Sequence, residues 1–329
     1  METRRSFIGK LGKSAVLSAC ASIPAVATAM TAGEYSRKKQ EDKPIRIGII
    51  GAENSHTIGF GKLFNIEKKF PGVEVLYVWG ETEEFARNAM INGGIPNMVS
   101  DPGEMTGKID ALIVDHRHPK YHLEAATPFV KAGIPTFIDK PFCYRVSEGK
   151  EFLAMARDLG TPITSYSSIA QSDATFDMKE QVEALGEINH VIRCGPADLE
   201  SQYGGIFFYG VHCVQPLMYM FGEEIERVRI TKNGKNAGAN LAYKNGMLAT
   251  IIFKSLHYGW ETFVETKEGV IELKSRVDEA DPPRNYTDMV EMFRTGKEPR
   301  SHQSILNCVA VLEALEKSST NEKWEEVMV

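Results

Sequence analysis

The chain has 329 residues, of which 43% are hydrophobic and 25% charged, so it is long enough for two domains that each bury a core. Its formal net charge is −6 and no basic stripe runs along the sequence, which argues against nucleic acid as a partner. There is no low-complexity tract and no internal repeat, so the composition is that of a globular protein.

The first 29 residues are predicted to be an export signal. Arg4 and Arg5 precede a small, apolar stretch, Ser14–Ala29, which ends in Ala-Thr-Ala. A charged region, a hydrophobic region and a small-residue cleavage site in this order indicate a signal peptide, not a transmembrane span. Because Ser-Phe-Ile follows the arginine pair, the segment resembles a twin-arginine signal and predicts export to the periplasm. A plain secretory signal and a lipid anchor on Cys20 remain alternatives.

The cysteines after this signal are scattered through the chain and form no C-x-x-C pair. They are Cys143, Cys194, Cys213 and Cys308. This spacing predicts neither a zinc site nor a disulfide framework, and buried thiols are the expected state.

A first domain is predicted over residues 45–166, after a polar linker at 30–44. Runs typical of strands occur at 45–50, 73–79, 110–115, 135–139 and 162–166, and the helical patterns between them include 82–93, 121–133 and 147–160. This alternation predicts a Rossmann-like, doubly wound parallel sheet. Ligands bind at the carboxyl edge of such sheets, and four residues are expected there: Gly51, Trp79, Asp115 and Asp139.

The pattern changes after residue 166 and predicts a second, α+β domain over residues 167–329. Strand patterns at 188–195, 226–234, 248–255, 261–269 and 270–275 are joined by short turns, with helical segments at 176–186, 211–222 and 305–318. This arrangement predicts an open, mainly antiparallel sheet. The open face of that sheet suggests a homo-oligomer.

Three stretches, in this order, resemble the glucose–fructose oxidoreductase / inositol dehydrogenase (Gfo/Idh/MocA) family. Tyr121–Phe142 is similar to the segment that ends in Glu-Lys-Pro, with Asp139, Lys140 and Pro141 in that place. Gly204–Gly222 is similar to the GG-x-x-x-D-x-G-x-H segment, and the third stretch is Met292–Ser318. The resemblance extends over essentially the whole chain after the signal.

The resemblance implies hydride transfer between a carbinol carbon of a sugar or cyclitol and a nicotinamide. By position, Lys140 would contact the reacting hydroxyl and the cofactor, and His212 would take the hydroxyl proton. A histidine suits this proton transfer, and an ammonium stabilises the developing alkoxide. Further predicted substrate-binding residues are His116, His118 and Tyr209.

The sequence departs from the family at the phosphate-binding loop and before the histidine. The G-x-G-x-x-G pattern becomes Gly51-Ala52-Glu53-Asn54-Ser55-His56, and Phe208 stands where the family has Asp. Glu53 brings a negative charge toward the pyrophosphate, so we expect its side chain to turn away or to bind ribose. A tightly bound NAD or NADP is still predicted, held by Gly51, Ala52, Asn54, Ser55, His56, Glu81, Asp139 and Lys140.

Two alternatives remain open from the residues alone. Histidines and carboxylates at one edge are also metal ligands, and this alternative would use His56, His116, His118, His212, Glu53 and Asp115. A fold does not fix a function, so a non-redox sugar-binding protein is the other alternative. The favoured interpretation is an exported oxidoreductase that acts on a carbohydrate without a metal.

Overall fold

The first sheet consists of parallel strands joined by helices. The computed structural model describes residues 43–234 and 236–329, so the predicted export signal lies outside the described residues. The strands are β1 (Ile45–Ile50), β2 (Val73–Trp79), β3 (Asn97–Met98), β4 (Ala111–Val114), β5 (Thr136–Ile138) and β6 (Ile163–Thr164). The helices are α1 (Ser55–Gly61), which continues as a π-helix (Lys62–Ile66), α2 (Glu83–Gly93), α3 (His122–Lys131) and α4 (Val146–Leu159).

The strand order in this sheet is β3-β2-β1-β4-β5-β6, with every pair parallel. All four residues of β4 are buried, as expected for a parallel sheet covered by helices on both faces. The strand order reverses at β1: β2 and β3 lie on one side of it, and β4, β5 and β6 lie on the other. This reversal opens a crevice at the carboxyl end of β1, where doubly wound folds bind their ligands.

The second sheet has the order β12-β11-β7-β10-β9-β8-β13. Its strands are β7 (His190–Pro196), β8 (Ile225–Asn233), β9 (Asn236–Tyr243), β10 (Leu248–Lys254), β11 (Glu261–Thr266), β12 (Gly269–Leu273) and β13 (Glu325–Glu326). The helices are α5 (Asp173–Ala184), α6 (Ile206–Phe221), α7 (Arg284–Thr295) and α8 (His302–Asn321). Its strand pairs are antiparallel except β7–β10, which is parallel.

One face of the second sheet is covered and the other is partly exposed. Helix α6 is apolar around most of its circumference and packs on α8, and α8 in turn packs on β8. On the other face Ile252 and Val270 are exposed. Among the described residues, no helix has both the length and the apolar character that a bilayer-spanning segment needs.

The predicted fold class is confirmed, with local differences. Strand β9 was not predicted, because its Asn-Ala-Gly-Ala-Asn start lacks the β-branched residues that indicate a strand. Helix α6 begins at Ile206, before the predicted start at residue 211. The predicted domain boundary at residue 166 falls between β6 and α5.

Candidate active site

Gly51 ends β1 and brings the following loop against the end of β4. Its φ is +107°, a conformation that side chains other than glycine rarely adopt. A Cβ on Gly51 would lie 2.7 Å from the carbonyl carbon of Asp115 and 2.7 Å from the amide nitrogen of His116. The first glycine of the altered loop is therefore required by packing, even though the next two glycines are absent.

The backbone of this loop binds an anion from within the protein. The N–H groups of Ala52 and Glu53 both donate to Glu81 Oε2, each at 2.9 Å. His116 Nδ1 lies 2.8 Å from the other oxygen, Glu81 Oε1. Burial opposes ionisation of Glu81, but the hydrogen bonds from His116 and the loop outweigh it and lower the pKa to about 2. The Glu81 carboxylate therefore accepts from the same backbone N–H groups that would face a phosphate of the cofactor.

Glu53 turns toward the segment that follows β7. Tyr203 donates its hydroxyl proton to Glu53 Oε1 at 2.6 Å, and Arg117 Nη1 donates to the Tyr203 oxygen at 3.0 Å. The Arg117 guanidinium also lies over the rings of Tyr203 and Phe208, 4.7 and 5.5 Å from their centroids. The Glu53 carboxylate thus accepts a hydrogen bond from Tyr203, which follows β7 in the second half of the chain.

Two buried carboxyl groups meet beside the loop, at the ends of β4 and β5. Asn54 donates its side-chain amide to Asp115 Oδ1 at 2.9 Å and to Asp139 Oδ2 at 3.2 Å. Thr57 Oγ1 lies 2.5 Å from Asp115 Oδ2 and 2.7 Å from the carbonyl oxygen of Gly51. Asn54 also accepts from the His56 N–H and caps α1. The side chain of Asn54, which was predicted to bind the cofactor, is therefore hydrogen-bonded to the carboxyl pair.

The two carboxyl groups differ in protonation. Burial, and then the charge of Asp139, raise the pKa of Asp115 well above its usual range. Burial opposes ionisation of Asp139 as well, but Lys140 and His56 outweigh it and hold its pKa below the usual range. Asp139 is therefore the member of the pair that ionises more readily.

Lys140 and His212 come from different parts of the fold, and the charge of Lys140 acts on His212. Lys140 Nζ lies 3.3 Å from Asp139 Oδ2, and the side chain is 8% exposed. His212, on α6, places Nδ1 2.6 Å from Ser167 Oγ and packs against the rings of Tyr209 and Trp260. Burial, and then the positive charge of Lys140, lower the pKa of His212 well below its usual range. The His212 imidazole thus favours its neutral form, partly because of the charge of the buried Lys140.

Two cavities border this region. A small one of about 50 Å³ is lined by His56, Asp139 and Lys140, together with Tyr286 from α7. A larger one of about 490 Å³ borders Tyr209 but neither Lys140 nor His212. The volume of the larger cavity suits a small ligand, whereas His56, Asp139 and Lys140 line the smaller one.

The remaining predicted residues lie apart from this centre. His118 packs against the Tyr144 ring, with the ring centroids 5.0 Å apart, and Ser55 is exposed at the start of α1. Of the six residues of the metal alternative, His56 and Asp115 approach each other, at 3.9 Å, while His116 is bonded to Glu81. His56, Asp115 and Asp139 group closely, but Asn54, Thr57 and Lys140 already use both oxygens of Asp115 and Oδ2 of Asp139.

Sequence reasoning missed Tyr203, Arg117 and Ser167. Tyr203 is 150 residues from its partner Glu53, and Ser167 is 45 residues from His212. A polar residue in a loop gives no signal of which distant loop it will contact. Thr57 could have been found, because a threonine in the first turn after a strand end lies next to the neighbouring strand ends.

Residues 45–167 match the model of an oxidoreductase family with an NAD-binding Rossmann fold, GFO_IDH_MocA. Residues 45–167 are therefore similar to the Gfo/Idh/MocA oxidoreductase family. The uncharacterized oxidoreductase YhhX of Escherichia coli strain K12 is 27% identical over 160 residues, 44% of this chain. The match spans 46% of that protein, so the chain corresponds to about half of this curated relative.

The solved structures similar to this protein share its fold at low sequence identity. The myo-inositol dehydrogenase of Lactobacillus casei, in complex with NAD(H) and myo-inositol, has a TM-score of 0.74 and 14% identity, covering 87% of this chain and 97% of that one. GenD2 from gentamicin A biosynthesis, in complex with NAD, has a TM-score of 0.73 and 14% identity over the same shares. These similarities concern the fold of both sheets.

Proposed function

We propose that this protein is an NAD-dependent oxidoreductase that transfers hydride to or from a CH–OH group of a sugar, cyclitol or sugar derivative. The observation that carries the proposal is the buried Lys140, held 3.3 Å from Asp139 at the carboxyl edge of β5, whose charge acts on the buried His212. The neutral imidazole accepts a hydrogen bond from a substrate hydroxyl, and the ammonium stabilises the oxygen as negative charge develops. Similarity to an oxidoreductase family supports this chemistry.

The altered loop keeps two N–H donors suited to the phosphate of a dinucleotide once the Glu81 carboxylate moves away from them. Its N–H groups converge on the Glu81 carboxylate, so they are directed out of the loop toward an anion. Ala52, Glu53 and Glu81 would hold the cofactor, which supplies hydride transfer when bound. An ionised Glu81 accepts hydrogen bonds from ribose hydroxyls and repels a ribose phosphate, which favours NAD over NADP.

The finer parts of the proposal concern the substrate, the assembly and the compartment. The Lactobacillus casei neighbour was crystallised with myo-inositol, which supports a polyhydroxylated ring as substrate. The exposed Ile252 on the open sheet face supports a homo-oligomer. Export by the twin-arginine route would deliver a protein that had folded around a tightly held cofactor in the cytoplasm.

A second candidate is a non-redox sugar-binding protein. The observation in its favour is that Glu81 already satisfies both loop donors, which leaves a phosphate nothing to bind until the carboxylate moves. In this candidate the cavity beside Tyr209 would hold the sugar and Lys140 would be structural.

One experiment separates the candidates. The protein is purified from its exported form and denatured, and the supernatant is analysed by mass spectrometry and elemental analysis. NAD near one per chain supports the oxidoreductase. A stoichiometric divalent metal supports the metal alternative instead. If neither is found and calorimetry detects no binding of NAD(H) or NADP(H) at millimolar concentration, the oxidoreductase proposal is wrong.

A further inference from the structure

His56 is the exposed end of a chain of titratable groups that leads to Lys140. The first contact joins His56 Nδ1 to Asp139 Oδ2 at 3.2 Å, and the second joins the same oxygen to Lys140 Nζ at 3.3 Å. The His56 side chain is 40% exposed, whereas those of Asp139 and Lys140 are 5% and 8% exposed. One carboxylate oxygen thus connects a buried ammonium to an imidazole in contact with solvent.

Water can reach this chain from the side of α7. The cavity of about 50 Å³ is lined by all three residues, and this volume is sufficient for a water molecule. The titratable and charged groups that face His56 are Asp139, Asp115 at 3.9 Å, Lys140, and Tyr286 across the cavity. The charge of His56 also lowers the pKa of the buried His212.

His212 has a poorer route to solvent. Its Nδ1 atom is paired with Ser167 Oγ, and its ring is packed between aromatic side chains. Phe208, one turn earlier on α6, offers no carboxylate that could receive a proton. Burial and the charge of Lys140 both disfavour an imidazolium at this position. A proton left on His212 would therefore have to leave by another group.

We propose that His56 is the group through which Lys140 exchanges protons with solvent, by way of Asp139. The inference rests on the proposed function and deepens it, because it assigns the exit of the hydroxyl proton to Lys140. His212, predicted from the sequence to take that proton, then acts as a hydrogen-bond partner of the hydroxyl. His56 does not touch the substrate and acts through Lys140.

In the direction of alcohol oxidation, each proton transfer has a donor and an acceptor. An N–H bond of the Lys140 ammonium breaks as an O–H bond forms on Asp139 Oδ2. In the His56 tautomer that carries its hydrogen on Nε2, Nδ1 is unprotonated and accepts. The O–H bond of Asp139 then breaks as an N–H bond forms at His56 Nδ1, and the Nε2–H bond breaks as its proton passes to water. The Lys140 amine then takes the hydroxyl proton while the carbinol carbon loses hydride, with its electron pair, to a nicotinamide. One proton enters the solvent for each hydride, and carbonyl reduction is the reverse.

The test measures hydrogen exchange of the Lys140 ammonium in the ligand-free protein by NMR of ¹⁵N-labelled lysine, with Lys140→Met to assign the signal. The informative variant is His56→Asn, because its side chain can still hydrogen-bond to Asp139 but has no second ring nitrogen through which a proton could pass to water. We expect exchange to slow by about tenfold or more and to recover with added imidazole. His190→Gln is the matched control, since His190 is an exposed histidine paired with Glu265 at 2.8 Å.

The outcomes separate the inference from the proposed function, because the exchange measurement needs neither cofactor nor substrate. Unchanged exchange in folded His56→Asn overturns the relay and leaves His56 a structural ligand of Asp139. Should that variant fail to fold, the wild-type protein decides: Lys140 exchange must follow the titration of the His56 ring in the same sample, and independence of the two overturns the proposal. If Lys140 exchange depends on His56 but the protein oxidises no sugar, the relay stands and only the proposed function is contradicted.

Discussion

Gly51 crosses Asp115 so closely that a methyl group on Gly51 would lie 2.7 Å from the Asp115 carbonyl carbon. Backbone atoms cannot move aside as a side chain can, and the φ of +107° adds conformational strain for any other residue. We expect Gly51→Ala to lower the free energy of unfolding by about 2–4 kcal/mol, as measured by urea denaturation.

The control for this prediction is Gly59→Ala in α1. A methyl group added to Gly59 would point into open space, with no neighbouring heavy atom within 4 Å, and the residue does not have a positive φ. Because alanine is favoured over glycine in a helix, this variant should be stabilised by about 0.5–1 kcal/mol. Equal stability of the two variants would contradict the steric role of Gly51.

Glu81 should make the stability of the protein depend on pH at the acid end. Its pKa is lowered to about 2 in the folded protein, so its contribution is fully present above its unfolded pKa and is lost as pH falls toward 2. Glu81→Gln should cost about 1–3 kcal/mol at pH 7 and progressively less between pH 4.5 and 3, measured by urea unfolding at each pH.

Glu83→Gln provides the comparison, because Glu83 is exposed and paired with Arg87 within the same helix. Such surface pairs contribute little to stability, so this variant should stay within about 0.5 kcal/mol of the wild-type protein at every pH. A pH-independent cost of Glu81→Gln would show that the ionised form of Glu81 does not stabilise the loop.

The carboxyl pair predicts an asymmetry between two matching substitutions. Asp115 is held in its protonated form, which an amide resembles in shape and charge, so Asp115→Asn should cost less than about 1.5 kcal/mol. Asp139→Asn removes the counter-charge of a buried lysine and should cost about 3–5 kcal/mol. Thermal unfolding of the two variants at pH 7 tests the difference, and equal costs would contradict the assignment of the charge to Asp139.

The strand ends that form the site can be predicted from the sequence, whereas the contacts of their polar side chains cannot. The strand ends Gly51, Asp115 and Asp139 were predicted to line one edge, because hydrophobic periodicity locates parallel strands and parallel strands share an edge. The roles of the polar side chains at that edge were not predictable. Asn54 points to the carboxyl pair, and Glu81 points back to the loop, through hydrogen bonds that join residues 28–85 positions apart.

Export is a prediction from the sequence alone, and the residues on which it rests lie outside the described part of the chain. Replacing both Arg4 and Arg5 with Lys keeps the charge but removes the arginine pair that resembles a twin-arginine signal. We expect full-length protein to accumulate in the cytoplasm, detected by fractionation and immunoblotting. Normal export of this variant would favour a plain secretory signal, and a lipid on Cys20 of the exported protein would favour the anchored form.

The last prediction concerns the catalytic pair. Lys140→Met removes the ammonium that stabilises the alkoxide, and His212→Gln removes the imidazole while keeping a hydrogen-bonding side chain. On a sugar or cyclitol that the wild-type protein oxidises, we expect each substitution to lower kcat by about 10²–10⁴-fold. Calorimetry should show that His212→Gln retains the affinity for NAD, because His212 lies on α6 and not on the loop that ends β1.

The matched controls are Lys131→Met and His190→Gln, which change an exposed lysine on α3 and an exposed histidine on β7. Both should keep wild-type kcat and KM, since neither residue lies at the sheet edge where Lys140 and Asp139 meet. Circular dichroism and the midpoint of thermal unfolding establish that the variants are folded before their kinetics are compared. Full activity of folded Lys140→Met would remove the ammonium from the mechanism, and full activity of His212→Gln would leave Lys140 as the group that handles both the charge and the proton.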